Sequence, residues 1–271
     1  MSDFYLTLPS NTEPSTNTTA KFTVYLPYKI DLSGKWEVAL VEIQYPFSWN
    51  NLTGRVSSGD ITDNWIDITF SSGYRTIINV PPGYYENIQE ILKAIEYGQQ
   101  EAAIELRKRA VSYSIKAQKM DTVLGNVSKK EMKSTKKKAK MNAMKEHSKA
   151  VVNGFSVTYN ETLKRIKVKK DPAQIKKIKF STRLQYMLGL SPEEIKGYGV
   201  SGDYIPDLRG GFYSLYVYCS LVEPQIVGND TTPLLRLVNI EGTYGCNCEK
   251  IFHSPHYVPI ILFKLKRHLF K

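Results

Sequence analysis

Short alternating runs, punctuated by proline and glycine, make up most of the chain. Phe4 to Leu8 alternates and stops at Pro9, and Phe22, Val24 and Leu26 alternate before Pro27. Each run predicts a strand ended by a residue that cannot donate to a ladder. Ser10 to Thr19, rich in Ser, Asn and Thr, reads as a solvated loop between them. Trp36 to Tyr45 is apolar on both faces near its centre, as in a central strand of a sandwich, and Pro46 closes it. Ile66, Ile68 and Phe70 then share one face, Ser71-Ser72-Gly73 turns, and Tyr74, Thr76, Ile78 and Val80 share a face in return. That is the pattern of a hairpin.

The period changes after Pro81-Pro82-Gly83. Ile88, Ile91, Leu92 and Ile95 recur at helical spacing, which predicts an amphipathic helix over 86–96 with Gly98 as its end. Residues 99–119 continue in helical style, and 126–149 are mostly Lys, Met, Ala and Ser, so 98–150 reads as an insertion, part helical and part disordered. Strands resume at Phe155 to Tyr159, at Leu163 to Lys169, where Ile166 and Val168 alternate with Arg165, Lys167 and Lys169, and at Ile175 to Phe180. Ser181 is placed to cap a short helix holding Leu184, Met187 and Leu188, and Ser191-Pro192-Glu193-Glu194 has the form of a capping box. Gly197 to Gly211 reads as a long loop, and Phe212 to Val222, Leu234 to Ile240 and Tyr257 to Phe263 as the last strands.

About ten or eleven strands against two or three short helices, without regular alternation, disfavour a parallel α/β sheet. The expected fold is all-β, a single jelly-roll sandwich of antiparallel sheets carrying a basic, partly helical insertion. Its segments are 1–97 (first part of the jelly roll, with one helix), 98–150 (the lysine-rich insertion) and 151–271 (second part).

Charge sharpens this segmentation. The net charge is +11, but 1–97 carry −5, 98–150 carry +9, 151–180 carry +6 and 181–271 carry +1. Basicity is a local property of the middle, and points to a polyanion contact or a solubilising surface. Three cysteines, Cys219, Cys246 and Cys248, form no even framework, which favours a reducing compartment. No apolar run reaches the roughly 18 residues that span a bilayer, and no basic-then-apolar leader opens the chain. A soluble protein, made inside the cell and without a membrane partner, is expected.

Candidate chemistry is sparse. There is no Gly-X-Ser-X-Gly, no phosphate-cradling glycine loop and no Gly-X-Gly-X-X-Gly after a strand, so neither catalysis nor a cofactor is expected. Cys246, Cys248, His253 and His256 offer two thiolates and two imidazoles to a tetrahedral zinc. Against that, Cys-X-Cys is tighter than the usual knuckle spacing, and a loop with incidental Cys and His is the alternative. Lys129, Lys130, Lys133, Lys136, Lys137, Lys138 and Lys140 are candidates for nucleic-acid contact. The same run also reads as a solvated insertion or as a nuclear-import signal, and it lacks the interleaved aromatics of a single-strand binder. Tyr84, Tyr85, Tyr213, Tyr216 and Tyr218 either build a binding surface or pack on their sheets with wet hydroxyls.

Several motifs occur in order outside 98–150: Phe4-Tyr5-Leu6-Thr7-Leu8-Pro9-Ser10-Asn11, Phe22 to Pro27, Gly34 to Pro46, Pro81 to Tyr85, Met187-Leu188-Gly189-Leu190, Tyr216 to Cys219 with Val222 to Gly228, and Pro255 to Pro259. Together they resemble the minor capsid (penton) proteins of Polintons (Mavericks) and adintoviruses. The resemblance implies a single jelly roll that assembles as a homopentamer at icosahedral vertices. It implies contact with the major capsid protein and a virion location after synthesis in the host cytoplasm or import to the nucleus, and the basic insertion is the expected route to packaged DNA. It also implies further sheet-forming sequence beyond Pro259, so a copy ending at Lys271 is expected to be truncated. Two other functions compete: a DNA-binding accessory protein of the same element acting through the lysine-rich segment, and a cellular β-sandwich module that binds a ligand.

Overall fold

The computed structural model describes residues 4–30, 32, 34–54, 63–121 and 127–261, with side chains except those of 116–121 and 127–137. In chain order the strands and helices begin with β1 (Glu37–Val38), β2 (Glu42–Pro46), β3 (Trp65–Phe70), β4 (Arg75–Asn79), α1 (Ile88–Asp121) and α2 (Val127–Asn153). There follow β5 (Phe155–Asn160), β6 (Arg165–Lys170), β7 (Ile175–Phe180), α3 (Thr182–Leu188) and β8 (Gly199–Ser201). The last strands are β9 (Ser214–Tyr218), β10 (Gln225–Val227), β11 (Asp230–Thr232), β12 (Leu234–Asn239), β13 (Asn247–Ile251) and β14 (Val258–Pro259). The fold is thus mostly β, in small antiparallel sheets with three helices among the described residues.

Two compact units divide the chain: Trp49–Gly211, and a split unit formed by Met1–Ser48 with Phe212–Lys271. The sequence segments at 97/98 and 150/151 follow charge and period; the compact units follow packing, and part elsewhere.

The 49–211 unit has the larger core. Alternation in β3 buries Ile66, Ile68 and Phe70. Ile66 pairs with Ile78 of β4 on one side and Phe180 of β7 on the other. A second three-stranded sheet has the order β5-β6-β8. On α1, Ile91, Ile95, Ala103, Leu106 and Ala110 form one buried stripe at three- and four-residue steps. Gln99 lies in this stripe, and its Nε2 donates to the carbonyls of Val151 and Phe155, 3.2 Å each, so the buried amide is satisfied and ties α1 to the end of α2.

Five local expectations change. Gly98 does not end the helix; α1 runs through it to Asp121. The glycine lets α1 lie against β4, because a Cβ there would stand 2.6 Å from the Asn79 carbonyl oxygen and 2.9 Å from Ile78 Cγ2. The two or three short helices expected are replaced by two long ones and a short one, and the lysine-rich stretch expected to be partly disordered is helical from Val127. Its C-terminal turns bury Met144, Ala150 and Val151 in the core. At 191–194 there is no helix: Ser191 donates instead to Asp203, Ile195 bridges Ile178, and Glu194 pairs with Lys177 at 2.7 Å. That ion pair's hydrogen bond holds the Glu194 carboxyl below the usual range. The helix after Ser181 does form, as α3, but Ser181 Oγ donates to the Asp63 carbonyl rather than capping it. Gly189 closes α3 at φ 66°.

In the split unit every strand lies in a two-stranded antiparallel sheet, and the pairs are nested. β1 pairs with β14, β2 with β13, β9 with β12, and β10 with β11. The run from Trp36 to Tyr45, expected as one strand, is divided because its first part pairs with β14 and its second with β13. Neither Phe4 to Leu8 nor Phe22 to Leu26 forms a strand. Beyond β14, Ile260 bridges Val222, while Glu223 N–H donates to the Pro259 carbonyl and Ile261 N–H to that of Leu221. This joins β14 to the chain leaving β9. Cys219, Leu221, Val222, Leu235 and Val258 are buried there together, with Val38, Leu40 and Ile260 packed on them. Burial pushes the Cys219 thiol up, so it is an inert core side chain.

Candidate assembly surface

Alternation along β9 turns Tyr216 and Tyr218 outward, and their rings stack 6.5 Å apart at 19°. Leu237 of β12 is registered opposite Tyr216. All three are about half exposed, at 51%, 47% and 49%, so this two-stranded sheet presents a joined apolar patch outward. Elsewhere in the split unit Tyr5, Tyr28 and Ile226 are 83%, 74% and 84% exposed. Isolated large apolar residues on a surface need no explanation; a registered trio on one sheet face is a candidate contact surface.

The same unit leaves its sheets open. A two-stranded ribbon is marginal alone and has an unpaired backbone edge on each side. The N-terminal segment, β1, β2 and β9 together line an open groove of about 2660 Å3.

The sequence-predicted residues fall as follows. Cys248 is buried on β13 opposite Tyr45, while Cys246, His253 and His256 are exposed. Among the described residues no three His, Cys, Asp or Glu side chains are grouped as metal ligands, so the quartet is not brought together. Lys138 and Lys140 lie exposed on α2; the side chains of Lys129, Lys130, Lys133, Lys136 and Lys137 are outside the described ones. Of the tyrosines, Tyr85 donates its hydroxyl to the Pro81 carbonyl, and burial raises its pKa. No described helix is long and apolar enough to cross a membrane.

The signal for the β9–β12 patch was present in the tyrosine alternation. What the sequence does not contain is the registered partner, Leu237, since register depends on the β9–β12 connection. Comparison with known proteins adds no relative: no protein-family model, curated protein or solved structure matches the chain.

Proposed function

We propose that the split unit is a single jelly roll interrupted after its second strand by the 49–211 unit, and that the chain is a non-enzymatic minor capsid subunit of penton type. The observation that carries this is the nested pairing of eight strands, first with last through to fourth with fifth. A jelly roll has this order when a long antiparallel hairpin is wrapped into two facing sheets. The bonds from 221–223 to 259–261 support the first of those sheets, because they place β14 between β1 and the chain that continues β9.

The work of such a subunit is association. A ring of identical chains needs one patch on each subunit to meet a different patch on the next, with a rotation that closes. The Tyr216–Tyr218–Leu237 face and the free strand edges supply surface of the required kind. No proton transfer is involved. The resemblance of the ordered motifs to Polinton and adintovirus penton proteins agrees with this reading.

Sedimentation velocity tests it. The full chain is expected to form a species of five times its 30.9 kDa mass, and a Tyr216→Ser/Leu237→Ser variant to fall to smaller species with its far-ultraviolet spectrum unchanged. A wild-type chain that stays monomeric at high concentration overturns the reading.

A further inference from the structure

In β6, Ile166 and Val168 are fully buried, and the alternate positions Arg165, Lys167 and Lys169 face away from the core. β5 and β8 flank them with small hydroxyl residues: Ser156 opposite Lys169, and Thr158 and Ser201 opposite Lys167. Ser156, Thr158, Ser201, Lys167 and Lys169 are all exposed. One sheet face thus carries a row of three cations with hydroxyls on both sides.

These cations are not neutralised locally. Among the described residues none of the three makes an ion pair. The flanking carboxylates are engaged elsewhere: Glu161 with Lys164 at 3.3 Å, Asp171 with the Ala173 N–H and the Gln174 amide, and Asp203 with Ser191. The neighbouring lysine-rich strand differs. In β7, Lys177 is paired with Glu194 and Lys179 is registered opposite Asp67. The compensation on β7 is partial, since Asp67 also pairs with Arg75, but carboxylates stand beside its lysines, whereas among the described residues no ion pair reaches the outward cations of β6.

We propose that the outward face of β5-β6-β8 binds the phosphate backbone of duplex DNA without reading its sequence. Side chains two residues apart on an antiparallel strand are about 6.8 Å apart, roughly the separation of successive phosphates along one strand once the winding of B-form DNA is added to its 3.4 Å axial rise. Hydroxyl groups beside the cations supply the uncharged phosphate contacts common at such surfaces. With no aromatic ring among these side chains and Arg165 alone able to stack on a base, single strands are disfavoured. The operation of this surface does not depend on ring formation.

The test uses the full chain and a short mixed-sequence DNA duplex, with binding followed by fluorescence anisotropy across a salt series. Neutralising three phosphate contacts gives a slope of log K on log salt of about −2.7 from this face alone. Arg165→Gln/Lys167→Gln/Lys169→Gln is therefore expected to make the slope shallower by about 2.7, whereas Lys167→Arg/Lys169→Arg retains it. On the unmodified protein, bound DNA is expected to protect Lys167 and Lys169, but not Lys149, from acetylation read by mass spectrometry. Each of four results overturns the proposal: no duplex binding, an unchanged slope in the triple glutamine variant, no protection of Lys167 and Lys169, or tighter binding to duplex RNA, an acidic polypeptide or anionic vesicles than to DNA.

Discussion

Gly98→Ala is the substitution for which a sequence rule and the structure give opposite signs. In an exposed helix interior, Ala is better than Gly by about 1 kcal/mol. At Gly98 the added methyl would meet the Asn79 carbonyl oxygen at 2.6 Å and Ile78 Cγ2 at 2.9 Å. The oxygen belongs to the β4 backbone, which is fixed by its ladder to β3, so relief requires α1 to move off the sheet. Forcing an extra carbon into a filled site costs typically about 1–3 kcal/mol, and a contact this short with fixed backbone belongs to the upper part of that range, about 2–3 kcal/mol. After the helix gain is subtracted, a net loss of about 1–2 kcal/mol remains. For a unit of about 150–250 residues that lowers the midpoint by about 2–8 °C. Far-ultraviolet circular dichroism at the helical band is the right assay, because all three described helices belong to the 49–211 unit. An unchanged or raised midpoint would refute the close-approach account of this glycine.

Two further predictions concern other contacts. His147 of α2 stacks on Phe70 at 4.3 Å and Tyr74 at 4.9 Å, its Nε2 lies 2.8 Å from Ser72 Oγ, and its buried Nδ1 has no partner. Desolvation by burial lowers its pKa. The unfolded chain, near the ordinary value of about 6.5, then binds the proton at higher pH than the folded one. Its contribution to stability is present above about pH 6.5 and is lost as pH falls through the depressed value. The helical midpoint should therefore drop more between about pH 7.5 and about pH 5.5 in the wild type than in His147→Phe; equal drops would reject this. For the nested pairing, Gln44 and Glu249 are registered opposite each other, and Cα atoms so paired lie within disulfide reach. Gln44→Cys/Glu249→Cys in a Cys246→Ser background should cross-link on oxidation, and failure to do so, as seen by non-reducing electrophoresis, would reject the β2–β13 register.

Much of the architecture was legible where a local period was strong. The hairpin β3–β4, the strands β5, β6 and β7 and the helix α3 arise where alternation or a helical step is uninterrupted and bounded by turn residues. The misses share a cause: a local signal was overruled by a distant partner. Gly98 reads as a stop until β4 is seen beside it, and then as the residue that permits contact. Ser191-Pro192-Glu193-Glu194 reads as a helix start until Ile178 and Lys177 take Ile195 and Glu194. The lysine-rich stretch lacks an apolar face in its first half, and is helical because α1 and the sheet give its second half a surface to bury against.

The same distinction governs the charged residues. Counting lysines draws attention to Lys129 through Lys140, the densest run in the chain. Density is a weak guide to binding, since a polyanion meets charge that no carboxylate compensates on a fixed face, and a strand sends alternate side chains to one side. Three cations at every second position of β6 therefore share a single face, and the apolar residues between them, buried in the core, fix that face toward solvent. The sequence Arg-Ile-Lys-Val-Lys contains both halves of this pattern. What it lacks is the neighbouring carboxylates, and these separate β6 from β7: Glu194 reaches Lys177 from a loop and Asp67, itself paired with Arg75, stands opposite Lys179 across the ladder, while among the described residues no ion pair reaches Arg165, Lys167 or Lys169. An unneutralised row on a sheet has its backbone ordered before a polyanion arrives, so little backbone entropy is lost on contact, and this, rather than a large number of charges, recommends β6 as the binding face.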